Sequence, residues 1–453
     1  MRPLPGVAAS GTASRSRQGV HGVPLKADQE NGQRQPGRAN LCSGVVGGKA
    51  SCVQKSGLGA ALTVGAALAH EARYYFGRLK DRDYVPVEAV AKRKTVLGPA
   101  MELEALPHIF WESHLDRVLG AASHSRDQVV NEDLPRRRFV VRESALYEVA
   151  EAIIVSGVLY CKRTRADCRS KYAPAPRLAL PRSPVYESRN MSFVSMQCAT
   201  TWFGHWLEDE APSLVLASGF APTIAIRRPV YDQEPSYLAA FGVAEPVRAG
   251  TAICRDLLYL DEPALQSPIK AKRCHYLRGR LKRHSGTAKR VFLLRGSTGA
   301  PRHLVNEMEI AARLEDEGFV AIEPGSCTLD ELLNIACGAD LFVSVEGSHL
   351  AHILYMGADF GCFVIMNPPY QVHTTVAGCG QFFGLRGSMF IGTPVGDSRT
   401  DFHVDPDELL RFIEYTESVH KKERHHLAAF VRRLFDLAKG SPADLWDVDC
   451  PTV

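Results

Sequence analysis

Between Arg290 and Pro369 four short apolar runs alternate with helical patterns and meet a glycine-centred turn, Glu346-Gly347-Ser348-His349. That order leaves few folds open. Arg290 to Arg295 reads as a short buried strand, and from His303 the residues Leu304, Met308, Ala311 and Leu314 share one helical face that ends at Gly318. Phe319 to Ile322 is a second strand. Thr328 and Glu331 have capping-box spacing, in which hydroxyl and carboxylate satisfy each other's backbone donors where a helix begins. Leu341 to Val345 and Cys362 to Met366 are the third and fourth strands, with a segment of helical length starting near Ser348 between them. Strands separated by helices of this length imply right-handed crossovers and a parallel sheet, hence an α/β fold.

In such a sheet ligands bind beyond the carboxyl ends of the strands, where helix N-termini aim free N–H groups at them. Gly347 and Ser348 fall at that point: glycine permits close backbone approach, the serine adds a hydroxyl, and an anion such as a diphosphate fits. Arg295 and Arg302 could add charge-assisted contacts to the same oxygens. An ordinary strand-to-helix turn with surface arginines would leave the same pattern.

Two stretches, Arg295 to His352 and Phe203 to Pro212, together resemble glycosyltransferase family 61. Arg295, Arg302 and Asn306-Glu307, then Gly318-Phe319 and the turn Glu346-Gly-Ser-His-Leu-Ala-His352, resemble its C-terminal half. Upstream, Phe203-Gly-His205-Trp206-Leu207-Glu208-Asp209-Glu-Ala-Pro212 is similar to its pattern of an aromatic residue followed by H-W-L-x-D-x-x-P. The resemblance implies two facing Rossmann-like domains (GT-B) and an inverting, metal-independent sugar transfer from a nucleotide donor, a UDP-sugar, to a glycan or lipid-linked acceptor, of the kind that builds bacterial capsular polysaccharide. No cofactor is expected beyond this co-substrate. The chain departs from the family turn, H-G-A-x-L-x-N, by Glu346 for the histidine and His352 for the asparagine. A non-catalytic binding subunit that kept the fold is the alternative.

Inverting transfer needs a base for the acceptor hydroxyl and stabilisation of the departing diphosphate. Asp209 is the candidate base, its pKa expected to be raised by Glu208 and Glu210, with His205 as its catalytic companion. An acidic first helical turn would look the same. His205, Trp206 and Glu208 are placed at the acceptor; Arg295, Arg302, Asn306, Glu346, Gly347, Ser348 and a protonated His349 at the donor. Acidic D-x-D pairs occur at Asp81/Asp83, Asp405/Asp407 and Asp447/Asp449, but none follows a strand of the pattern, so no metal ligand is assigned.

The 453 residues, 45% hydrophobic and 23% charged, suffice for two globular domains, and a net charge of +4 gives no case for nucleic acid. The expected division is a disordered tail (1–83), an acceptor-side Rossmann-like domain (84–265), a basic linker (266–289), a nucleotide-sugar domain (290–400) and a crossing helix with tail (401–453). The basic run Lys270 to His284 reads as a solvated linker helix, with contact to anionic lipid or nucleic acid as its other reading. Twelve cysteines lack zinc-like spacing and read as reduced. Gly57 to Ala69 is apolar but shorter than the roughly twenty residues of a membrane helix, so a cytoplasmic, membrane-associated location is expected. In the first domain Phe139–Val141, 152–160, 192–196, 222–226 and 255–260 read as strands.

Overall fold

The computed structural model describes residues 53–55, 65 and 86–451, apart from 168–184 and several short loops within that range. These residues belong to one compact unit, 38–453. Of the expected tail, 1–83, only 53–55 and Gly65 are among them; the rest of it, with all of Gly57 to Ala69 except Gly65, and the pairs Asp81/Asp83 and Asp447/Asp449 lie outside. Among the described residues no helix is long and apolar enough to cross a membrane.

A mixed sheet of nine strands forms the first half: β1 (Val53–Lys55), β2 (Arg93–Gly98), β3 (Ser144–Val155), β4 (Val158–Cys161), β5 (Thr164–Asp167), β6 (Val185–Val194), β7 (Thr223–Ile226), β8 (Val247–Ala249) and β9 (Thr251–Asp261). The order is β8-β7-β6-β9-β3-β4-β5, with β1 on β6 and β2 on β3. Only β6 to β9 run parallel; the remainder is antiparallel. The stretch 152–160, which reads as one strand, folds back as a hairpin in which Val155 opposes Val158 and Gly157 takes φ 81°. Such left-handed backbone is what glycine allows.

The second half holds β10 (Arg290–Leu293), β11 (Val320–Ile322), β12 (Leu341–Val345), β13 (Cys362–Asn367) and β14 (Arg386–Ile391), all parallel in the order β11-β10-β12-β13-β14. Chain order therefore reverses between β10 and β12, and a ligand crevice forms at such a switch point, beyond the carboxyl ends of those two strands. The first four strands match the apolar runs. The fifth, β14, begins Arg386-Gly-Ser388 and breaks the apolar pattern; Arg386 is buried on Glu423 at 2.7 Å, and Ser388 Oγ donates to Phe363 O.

The helices that matter are α1, composed of Phe203–His205, a π-turn over Trp206–Glu210 and Ala211–Ser218; α2 (Glu234–Phe241); α3 (Pro268–Leu281); α4 (Glu307–Asp316); α5 (Leu329–Ala336); α6 (Ala351–Met356); and α7 (Pro406–Ala438). Thr328 and Glu331 do form a capping box on α5. Asp405 caps α7 through the amide of Glu408, so the acidic pair there is a helix start.

The basic run is not a solvated linker. It forms α3, started by Ser267 and Pro268, with Lys270, Arg273 and Arg278 at most 1% exposed. The reason lies in helical periodicity, which puts these three cations on the side of Ile269, Cys274, Leu277 and Leu281, within one hydrophobic cluster shared by both halves. Each charge finds a partner: Lys270 meets Asp209, Arg273 meets Glu262 at 2.5 Å, and Arg278 donates to Gly357 O at 2.6 Å.

Candidate functional site

Pro212 shapes the first half of the site. A proline has no N–H and its ring crowds the carbonyl four residues earlier, so the helix before it cannot keep regular α pairing. Here it widens, and the amide of Ala211 reaches back five residues to Trp206 O. Single π-turns of this kind are frequent at functional sites. The carbonyl of Leu207 accepts instead from Tyr355 Oη of α6 at 3.0 Å.

Across this turn His205 Nδ1 lies 3.2 Å from Asp209 Oδ2, and Lys270 Nζ reaches Asp209 Oδ1 at 2.8 Å. Asp209 is 2% exposed, whereas the His205 side chain is 30% exposed. The expected rise in the Asp209 pKa does not occur. Burial favours its acid form, but the Lys270 ammonium and then the His205 hydrogen bond outweigh it and hold the carboxyl at about 2. Asp209 is thus a weak base. For His205, burial opposes the charged ring, but the hydrogen bond and field of Asp209, helped by Glu208 and opposed by Lys270, lift the pKa above its ordinary value.

Glu208 is buried beside the same pair. Burial, opposed by His205 and reinforced by Asp209, pushes its carboxyl up to about 8, with Lys270 opposing and Glu346 adding to the rise. The motif on α1 and the glycine turn therefore share one electrostatic field. Trp206 presents no face to a sugar: it is fully buried against Phe203, Tyr231 and Tyr237. The neighbouring Trp202, which sequence reading passed over, is 37% exposed at the start of α1.

The second half of the site forms where β10 and β12 end. The Arg295 guanidinium donates to the carbonyls of Glu346 and Ala300 and lies over Gly347, where any Cβ would collide with it. This is why position 347 is glycine; its φ of 163° is ordinary extended backbone. Among the described residues the amides of Gly347, Ser348 and His349 make no hydrogen bond. A guanidinium and amides so placed are the components of an anion site.

Glu346 is ionised and paired. Its carboxylate lies 2.7 Å from Arg302 and 3.2 Å from His373; burial opposes the charge, but His373, Arg302 and Arg295 hold the pKa below its ordinary value. His349 differs from the expected protonated donor. Ser344 Oγ donates to Leu293 O and so accepts from His349 Nε2 at 2.7 Å, while burial, with Arg295 second, holds the ring neutral. His352 is neutral too: burial keeps it at about 3, and its Nδ1 meets Tyr237 Oη at 2.7 Å. Asn306 is committed to the backbone of Val404 through both amide atoms, and Glu307 accepts from the amide of Arg295.

The two halves touch. A Cβ on Gly204 would sit 3.2 Å from Ser348 Cα and from its carbonyl oxygen, so the start of α1 rests directly on the glycine turn. His205, Glu208, Asp209, Arg295, Arg302, Glu346, Gly347, Ser348 and His349 are thereby brought together, whereas Trp206 and Asn306 are turned to packing and to a backbone clamp. Sequence reading missed Lys270 and His373. For Lys270 a signal existed, its place on the apolar face of α3; for His373, in a loop after β13, there was none. Among the described residues no group of three or more His, Cys, Asp or Glu is gathered as a metal ion requires.

No curated protein matches the chain. A family model described as Glycosyltransferase 61 matches residues 203–364, from the start of α1 into β13. That span contains the π-turn, α3, the switch point and the glycine turn, and the match supports glycosyltransferase family 61 and, with it, a glycosyltransferase that uses a sugar donor and a glycan acceptor.

Proposed function

We propose that the chain moves a sugar from a nucleotide donor, a UDP-sugar, to the hydroxyl of a glycan or lipid-linked acceptor, with inversion and without a metal, in a GT-B arrangement. The observation that carries this reading is the contact of Gly204 with Ser348, which sets the His205–Asp209 pair beside the Arg295-covered turn. In this reading His205 takes the acceptor proton through Nε2 while Asp209 accepts from Nδ1–H and fixes the tautomer. The acceptor oxygen attacks the anomeric carbon from the face opposite the diphosphate. Arg295 and the amides of Gly347 and Ser348 receive the charge that develops on the leaving phosphate. Trp202 supplies the aromatic face for an acceptor ring that Trp206 lacks. Extension of a surface polysaccharide at the cytoplasmic side of a membrane belongs to the same reading.

Glu346 favours a second reading, a binding subunit without chemistry, because its carboxylate occupies Arg302 and adds negative charge beside the turn. Purified protein offered UDP-sugars with candidate acceptors decides between them. Release of uridine diphosphate that is lost in His205→Gln and unaffected by a chelator supports the transferase. Thermal stabilisation by uridine diphosphate without release under any pairing supports the binding subunit.

A further inference from the structure

The base reading leaves one buried cation unused. Lys270 projects from α3 to Asp209, both being at most 2% exposed, and an ammonium is rarely buried so completely unless it is paired. The two oxygens of Asp209 have different partners, Lys270 on Oδ1 and His205 on Oδ2. The same helix grips the π-turn a second time. Arg273 holds Glu262, Glu262 receives Ser213 Oγ at 2.6 Å, and that hydroxyl lies 3.0 Å from the backbone carbonyl of Asp209. The Asp209 side chain and, through Ser213, the helical turn that follows it are both located from α3.

We propose that Lys270 is a positioning residue: by holding Oδ1 it fixes the rotation of the Asp209 carboxylate, so that Oδ2 alone faces His205 and the Nε2 edge of the ring is left for substrate. This rests on the reading of His205 as the base. A carboxylate free to turn would still pair with His205 through either oxygen, but it would not fix the orientation of the ring. The charged groups facing the pair are Glu208 from the same turn and Lys270 from α3; Glu346, paired with Arg302 across the contact with the glycine turn, faces Glu208.

The test reads His205 directly, by NMR of ring-labelled histidine, with His205→Gln to assign the signal. In Lys270→Met the cation that opposes protonation is gone, and the His205 midpoint is expected to rise by roughly half a pH unit or more; Lys270→Arg should return it toward the wild-type value. An unchanged midpoint in folded Lys270→Met overturns the proposal. Should that variant not fold, the Lys270 ammonium signal of the wild-type protein serves instead: slow exchange with water, lost in Asp209→Asn, is expected, and exchange like that of a surface lysine overturns it. Because none of these readouts needs turnover, a shifted midpoint without nucleotide release refutes the transferase and leaves the positioning intact. Full release with an unshifted midpoint does the reverse.

Discussion

Glu208→Gln should stabilise the protein, and increasingly so as the pH rises. The Glu208 carboxyl is 3% exposed and stays protonated in the folded chain up to about 8, whereas in the unfolded chain it ionises near 4.5. A folded pKa above the unfolded one means that stability is fully present below about 4.5 and is lost as the pH rises toward 8. Each pH unit in that window costs about 1.4 kcal/mol, so between pH 5 and pH 7 the wild type should lose about 3 kcal/mol through this group alone. Glutamine has the same shape and does not ionise, and its stability should not carry this loss. Thermal unfolding at pH 5, 6 and 7 measures it: at about 0.8 °C or more per kcal/mol for a chain of this length, the gap in Tm should widen by roughly 2–4 °C. Parallel curves for wild type and variant would show that the carboxyl is solvated or paired, and the field shared by α1 and the glycine turn would have to be abandoned.

Three further outcomes follow from the same geometry. Because His205 titrates above its ordinary value, kcat/KM should fall as the pH drops through a midpoint above 6.5, where the ring can no longer take a proton; a limb at or below the ordinary histidine value refutes the base. Gly204→Ala forces a Cβ to within 3.2 Å of Ser348 backbone and should cost about 1–3 kcal/mol in urea unfolding together with most of the nucleotide release; a variant as stable and active as wild type would show that the two motifs are not in contact. His352→Phe leaves the buried Tyr237 hydroxyl without its partner and should cost about 1–3 kcal/mol at pH 7.5. The folded pKa of His352 is depressed to about 3, so wild type itself loses stability as the pH falls below about 6.5, and the gap between the two proteins should narrow by pH 5.5; an even gap at both values contradicts the neutral ring.

Local chemistry determined much of this protein from the chain alone. The apolar runs that became β10 to β13, the capping box on α5 and the Asp405 cap of α7 each depend on near neighbours and are visible in a short window. The resemblance placed the candidate site residues in two stretches, and the fold brought most of them together. What a window could not hold is set by contacts between distant segments. Arg386 starts a buried strand only because Glu423, far along α7, pairs with it. Lys270, Arg273 and Arg278 look like a solvated charge run until Asp209, Glu262 and the carbonyl of Gly357 arrive from other elements to meet them. Asp209 itself looked like a carboxylate made basic by acidic neighbours. The tertiary structure instead set a buried ammonium and the His205 ring against it, and because a charge interacts most strongly with what lies nearest in space at low dielectric, these two contacts outweighed burial and left the acids beside it in the chain without the last word.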